Sequence, residues 1–208
     1  MTLVIGFDLD MTLLDTREGI AATYRALTGR TGVHVDVDLA VSRLGPPLRQ
    51  EMAEWFPPAE LEAAIELYRA LYPAHAIAPA VALPGAVEAL CAVREAGGRS
   101  VVITSKLARL AVMHLEHLGL EVDEVHGDVF AAQKAAVLRA VGAAGYVGDH
   151  VADMHAAVLA GIPGMGLTSG PCSRDELFAA GASRVADDLY AFEDWFGTLI
   201  SVGRTGGG

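Results

Sequence analysis

Cysteine is scarce in this chain. Only two of its 208 residues are Cys, Cys91 and Cys172, far apart and without a CxxC spacing. That excludes a disulfide framework and a thiolate zinc site, and leaves reduced, buried thiols as the expectation. Basic charge is also in short supply, with 15 Lys+Arg against 26 Asp+Glu and a net charge of −11. A nucleic-acid binder carries a basic patch, and docking on anionic lipid needs one too, so neither partner is expected. Long apolar runs are missing. None reaches the ~18 residues of a membrane helix; the stretch 156–167 is short and broken by Gly and Pro. The first ten residues, MTLVIGFDLD, turn acidic early and carry no basic leader. They are not read as a signal peptide, and a cytoplasmic location is expected.

What is present points to a packed globular protein. Hydrophobic residues make up 52% and charged residues 20%, and the length suggests about one and a half domains. Short apolar runs at Leu3–Phe7, Ser100–Thr104, Gly145–Val147 and Gly164–Leu167, with a weaker one at Val122–His126, read as buried parallel strands. Helical patterns separate them: Ala86–Ala96, Leu107–Leu118, Gln133–Val141 and Val151–Ala160. This alternation predicts a parallel sheet covered on both faces. Residues 16–83 break the rhythm. They show no clear strand pair, and Gly19–Thr28, Leu48–Phe56 and Glu60–Tyr72 look helical. A strand-to-helix connection normally takes 2–6 residues. The segment is therefore expected to be an inserted subdomain over the carboxyl end of the sheet, where open α/β folds bind ligands. The Gly-rich end, 203–208, is expected to be a flexible tail.

Four clusters carry chemistry. Asp8 and Asp10 leave the first strand two residues apart. On an extended chain they point the same way, which is costly unless a cation neutralises them. Taken alone, the pair also fits a polar strand end. Asp149 leaves a later strand, with Asp153 one helical turn on; Asp149 alone also fits a helix N-cap. Thr104-Ser105-Lys106 ends another strand in hydroxyls and an ammonium. Lys134 follows the Gly127-Asp128 turn on a helix. In a parallel sheet all four strand ends converge on one crevice.

Taken together, Asp8-Leu9-Asp10-Met11-Thr12-Leu13-Leu14-Asp15, the strand ending in Thr104, Gly127-Asp128…Lys134 and the run from Gly148-Asp149 to Gly161 resemble the haloacid dehalogenase superfamily. The layout is similar to phosphoglycolate-phosphatase-like phosphohydrolases with a helical cap. The resemblance implies an α/β fold: a Rossmann-like parallel sheet with helices on both faces, formed by residues 1–15 and 84–202, plus a helical cap at 16–83. It implies a Mg²⁺-dependent phosphatase acting on a small phosphorylated metabolite through an aspartyl phosphate. Asp8 would be the nucleophile and Asp10 the general acid/base. Thr104, Ser105 and Lys134 would bind the phosphoryl group. Asp8, the Asp10 backbone carbonyl and Asp149 would hold the metal, with Asp153 supporting it directly or through water. Lys106, Arg43 and Arg49 are further candidates for anion contact, and the backbone amides of residues 9–11 and 105–106 are candidate phosphate donors.

Asp10 separates reactions within the superfamily. A halide leaves without a proton, whereas an alkoxide needs one, so Asp10 favours phosphate esters. Met11 stands where the resemblance leads one to expect Gly. An ordinary backbone and a narrower pocket are expected there. A phosphosugar mutase of the same chemistry is the alternative, and a non-catalytic phosphate-responsive binding module the more distant one. Oligomeric state, monomer or homodimer, is left open.

Overall fold

The structure is a computed structural model that describes residues 2–205, with side chains to residue 201. Strand β1 spans Val4–Phe7. A large helical insertion follows, and five further strand–helix units come after it. The core strands are β4 (Arg99–Ile103), β5 (Glu124–His126), β6 (Gly145–Gly148), β7 (Gly164–Leu167) and β8 (Arg184–Ala186). With β1 they form a six-stranded sheet in the order β5-β4-β1-β6-β7-β8, and every pairing is parallel.

The sequence alternation fixes which side each residue faces. Ile5, Phe7, Val102 and Val147 pack on one face, against helices α5 (Ala86–Glu95), α6 (Ala108–Leu118) and α10 (Phe192–Thr205). Val4, Val101, Ile103 and Tyr146 pack on the other, against α7 (Ala132–Ala140) and α8 (Val151–Ala160). Helix α9 (Arg174–Ala179) closes the far edge, where its Leu177 packs with Val185. A sheet with both faces covered explains the near-continuous apolar strands. Helix α10 continues to Thr205, beyond the expected start of a tail at 203; residues 206–208 lie outside the described part.

The insertion is built from α1 (Arg17–Thr31), α2 (Val37–Ser42), α3 (Leu48–Met52) and α4 (Pro58–Ala76). Helix α3 ends four residues before the expected Phe56. Pro57 follows there, and the residue before a proline disfavours helical backbone. The insertion has its own core, with Leu27, Met52, Ile65 and Tyr68 among its buried members; Leu110 of α6 joins it from the sheet side. The two chain crossings are paired. β2 (Leu14–Asp15) runs antiparallel to β3 (Val81–Ala82), with Leu14 opposite Ala82 and Asp15 opposite Val81. This two-residue ladder corrects the reading that no strand pair lies in this region. It was missed because two-residue strands carry no periodicity.

Both cysteines are free and only half-buried, not sealed as expected. Among the described residues no helix is long and apolar enough to cross a membrane.

Helices α1 and α4 approach most closely at Gly19. A Cβ there would sit 2.6 Å from the Ala76 backbone. Overpacking of this kind costs about 1–3 kcal/mol. In the same helix, Gly29 has nothing within 4 Å of an added Cβ. Urea unfolding should therefore show Gly19→Ala destabilised by about 1–3 kcal/mol and Gly29→Ala stabilised by about 0.5–1 kcal/mol. Equal effects from the two substitutions would contradict the packing described.

Candidate active site

The sheet order puts β1 between β4 and β6, so Asp8 lies between Thr104 and Asp149 at the carboxyl ends of adjacent strands. The Asp8 amide still donates to the Val147 carbonyl at 2.8 Å. The chain then turns sharply. The Leu9 carbonyl accepts from the Leu13 amide at 2.9 Å, and Asp10 bridges to Leu14. Met11 in this turn has φ +58°. The expectation of an ordinary backbone therefore fails, since a left-handed residue with a Cβ costs about 1–2 kcal/mol. The turn compensates: the Met11 amide donates to Leu14 O at 2.7 Å, and its carbonyl accepts from Ser169 Oγ at 2.5 Å. Its side chain lines a neighbouring cavity of 420 Å³ beside α1 and α2, not the one that holds Asp8 and Asp10.

Asp8, Asp149 and Asp153 are buried and offer carboxylate oxygens within 4.8 Å of one another. Lys134 is the ammonium among them. Its Nζ donates to Asp153 Oδ1 at 2.6 Å and lies 3.0 Å from Asp8 Oδ1. The second contact is an ion pair without hydrogen-bond geometry, so Asp8 Oδ1 has no hydrogen-bond donor. Thr12 Oγ1 donates to Asp149 Oδ1 at 2.8 Å. Helix α8 is capped by His150, not by Asp149, and Asp153 accepts the His150 amide at 3.2 Å. The N-cap alternative for Asp149 is thereby removed.

Burial raises the Asp8 carboxyl to about 7, opposed by Lys134 and reinforced by Asp153 and Asp10. Burial raises Asp149 as well, helped by Asp8 and Asp153. Lys134 goes up despite burial, because Asp153 and Asp8 hold its proton. One ammonium against three buried carboxylates leaves negative charge uncompensated. Oxygen-only donors, one of them lacking any hydrogen-bond partner, fit a hard divalent cation.

Asp10 belongs to a second network. Lys106 Nζ donates to its Oδ1 at 2.6 Å and Thr16 Oγ1 to the same oxygen at 2.6 Å. Burial would raise this carboxyl, but Lys106 and Thr16 together hold it below the usual range. Lys106 also donates to the Tyr72 hydroxyl at 2.7 Å, and that hydroxyl lies 3.0 Å from His114 Nε2. His114 is sealed in the interior, where burial first and Lys106 second push it down to about 4.

The remaining expected residues divide. Thr104 is buried next to Asp8's strand, and its Oγ1 accepts the Lys106 amide at 3.2 Å. That amide and the Met11 amide are already engaged, which removes both from the expected phosphate donors. Ser105 Oγ donates to the Gly45 carbonyl at 3.1 Å. Arg43 and Arg49 line the cavity above Asp8 and Asp10, yet each is tied to an acid: Arg43 to Glu51 at 2.7 Å, and Arg49 to Glu62. Thr12, Thr16 and Tyr72 were not singled out from the sequence. Thr12 sits inside the Asp8–Asp15 motif and Thr16 directly follows it, so two hydroxyls close to an acid pair were the available signal. Tyr72 gave none, since its i, i+4 spacing from Tyr68 is that of ordinary helix packing.

The model of the haloacid dehalogenase-like hydrolases matches residues 5–167. The phosphoglycolate phosphatase of Caulobacter vibrioides is 33% identical over 190 residues, covering 77% of each chain. The tyrosine-protein kinase PtkA of Mycobacterium tuberculosis is 36% identical over 116 residues, which cover 55% of this chain and 40% of the kinase. This chain thus spans less than half the length of that relative. Among solved structures, a haloacid dehalogenase-like family hydrolase from Streptococcus pneumoniae superposes with a TM-score of 0.82 at 23% identity, over 94% of this chain and 98% of the other. With the acid pair of β1, the second acid pair after β6 and the parallel sheet between helices, these matches lead to one conclusion: the chain belongs to the haloacid dehalogenase-like hydrolase family.

Proposed function

We propose that the protein is a Mg²⁺-dependent phosphatase that cleaves a small phosphorylated metabolite through an aspartyl phosphate on Asp8. One observation carries this reading. Asp8 opens into the cavity beneath the inserted helices, while Lys134 and the buried acids Asp149 and Asp153 stand behind it. The likeness to phosphoglycolate phosphatases supports the reaction class.

In this scheme one carboxylate oxygen of Asp8 attacks phosphorus and forms the acyl phosphate as the bond to the leaving oxygen breaks. Covalent catalysis splits one hard step into two. Lys134 offsets charge on the phosphoryl oxygens, with Thr104 as a hydroxyl donor beside it and Ser105 as a second once it leaves the Gly45 carbonyl. Asp10 gives the leaving oxygen its proton. It then takes a proton from the water that attacks phosphorus, which releases inorganic phosphate and restores Asp8. Asp10 is held ionised by Lys106 and Thr16, the state that suits the second half. Its acid role requires it to enter the first half protonated, so the Lys106 contact must loosen and the carboxyl take a proton from solvent before Asp8 attacks. Asp8, Asp149, Asp153 and the Asp10 carbonyl would hold the cation. When bound, it supplies charge neutralisation between the carboxylates and the phosphoryl group. Residues 16–83 serve as a cap that keeps bulk water from the intermediate.

Assays with p-nitrophenyl phosphate and Mg²⁺ should show turnover that EDTA abolishes. Asp8→Asn should remove it, and Asp10→Asn should reduce it by about 10²–10⁴-fold. An active Asp8→Asn enzyme would overturn the assignment, and an isomerised sugar phosphate without free phosphate would mark a mutase.

The metal has a readout independent of turnover. The Asp8 pKa is raised from 3.8 to about 7, so the folded state binds the extra proton between these values. Asp8 therefore contributes stability to the metal-free protein that is lost as pH rises through that window, a dependence that Asp8→Asn should remove, while His114 works in the opposite direction. Mg²⁺ should raise the melting temperature more at pH 8 than at pH 5, and Asp149→Ala should abolish the gain. A Mg²⁺ shift that is absent, or the same at both pH values, would contradict the site.

A further inference from the structure

The phosphatase scheme uses Asp10 and its lysine contact but leaves His114 without a part. His114 sits on α6, on the inner stripe that it shares with Leu110, Ala111 and Leu115. It has no exposed surface. Packing alone asks for an aliphatic side chain there. An imidazole in such a place strands polar atoms that find no partner, and His114 Nδ1 has none. What the ring does offer is Nε2, 3.0 Å from the Tyr72 hydroxyl. The two rings meet edge-on, at 5.7 Å and 80°. That hydroxyl also receives Lys106 Nζ at 2.7 Å, and the same Nζ donates to Asp10 at 2.6 Å. A continuous line of contacts thus runs from α6 through the inserted helix α4 to the acid/base residue.

The direction of each bond follows from what each group can give. An ammonium only donates, so the Tyr72 oxygen accepts from Lys106 and keeps one proton to give. If His114 Nε2 accepts that proton, only the Nδ1–H is left unpaired. If Nε2–H donates instead, both the Tyr72 proton and the Nδ1 lone pair are left unpaired. Each buried polar group without a partner is a penalty, so the first arrangement is favoured. It needs a neutral ring. Burial and Lys106 keep His114 uncharged, with a smaller push from His117 and an opposing pull from Asp10.

The consequence reaches Asp10. Its acid role asks Lys106 to release it, and the Lys106 side chain keeps only 7% of its surface. An ammonium released in so dry a place needs another acceptor. With its proton turned to His114, Tyr72 presents its oxygen lone pairs to Nζ, and its ring lies 4.9 Å from the same atom. Without His114 the hydroxyl proton has no acceptor and is free to turn toward Lys106. Asp10 is then the stronger partner, and the ion pair tightens.

We infer that His114 is a positioning residue for the proton transfer at Asp10: it orients the Tyr72 hydroxyl so that Lys106 is held off Asp10 while the leaving oxygen is protonated. The inference rests on the phosphatase reading above. No proton passes along the line. Lys106 stays an ammonium, Tyr72 keeps its proton, and Asp10 takes its proton from solvent and delivers it to the leaving oxygen.

The test compares kcat/KM with Mg²⁺ for phenyl phosphate and p-nitrophenyl phosphate. The two esters are similar in shape. The nitro group spreads the charge of its phenoxide, which leaves with little need of a proton, whereas the plain phenoxide needs one. Wild type, Tyr72→Phe, His114→Leu, His114→Gln and the double variant Tyr72→Phe/His114→Leu are measured, with melting temperatures to check folding. Tyr72→Phe and His114→Leu should each lower the value for phenyl phosphate about 3–10-fold more than that for p-nitrophenyl phosphate. The double variant should discriminate no more than the single ones, because both break one line of contacts. His114→Gln, whose side-chain carbonyl accepts in place of Nε2, should return the ratio toward that of wild type. If His114→Leu does not fold, Tyr72→Phe, which removes one atom, carries the same comparison. Equal losses on the two esters would overturn the inference, since a purely structural cross-link lowers both alike. So would a Gln variant no better than the Leu variant. Both outcomes leave the phosphatase reading standing, whereas a wild type inert toward both esters sinks the two together.

Discussion

One ammonium among three buried carboxylates is the constraint on which the rest depends. Lys134 meets Asp153 and faces Asp8, while Asp149 has only a threonine hydroxyl on its carboxylate. Such a cluster is unfavourable by itself, because desolvating an ion costs several kcal/mol and one lysine cannot offset three acids. It persists because the sheet over-determines it. Asp8 is locked by a backbone bond to β6, Asp149 directly follows β6, Asp153 rides on α8, and Lys134 enters on α7. The loop before α7 carries two non-glycine residues with positive φ, Asp128 and Ala131. Local strain is thus accepted where it aims the one compensating charge.

A second network, organised around Asp10, ties this floor to the helices above it. Tyr72 belongs to the insertion, Lys106 to the loop after β4 and His114 to α6, and their side chains converge on one hydroxyl. Asp10, the proposed acid/base, is therefore positioned partly by the element that also roofs the cavity, and Tyr72 is where the two meet.

Much of this was legible in the chain because the residues concerned are local. Apolar runs of four or five residues gave the central strands nearly to the residue, and Gly97, Gly119 and Gly161 marked helix ends. The acids at 8, 10 and 149 are readable because each follows a strand, and Asp153 because it stands one helical turn beyond Asp149. β8 escaped notice: Arg184–Ala186 is too short to show a pattern, and it pairs only with β7. The link between Asp10 and Lys106 spans 96 positions, which no local spacing reports. The spacing of Tyr68 and Tyr72 reads as helix packing, and their rings do pack at 5.8 Å; what the spacing withholds is that the Tyr72 hydroxyl accepts from Lys106. Met11 was misjudged for a related reason, since a left-handed turn leaves a clear signal only when Gly fills it.

The antiparallel ladder of β2 and β3 also bears on how such a protein changes over time. Leu14 faces Ala82 and Asp15 faces Val81, so the insertion leaves and rejoins the sheet at adjacent points. Opposed residues of such a pair stand about 4.5–5.5 Å apart. Any segment whose ends meet at that separation satisfies the same socket. The floor of the site asks nothing more of what is grafted above it than that its ends fit this doorway and that one side chain reach Lys106. A different or larger roof fits the same doorway without moving the acids and the lysine underneath.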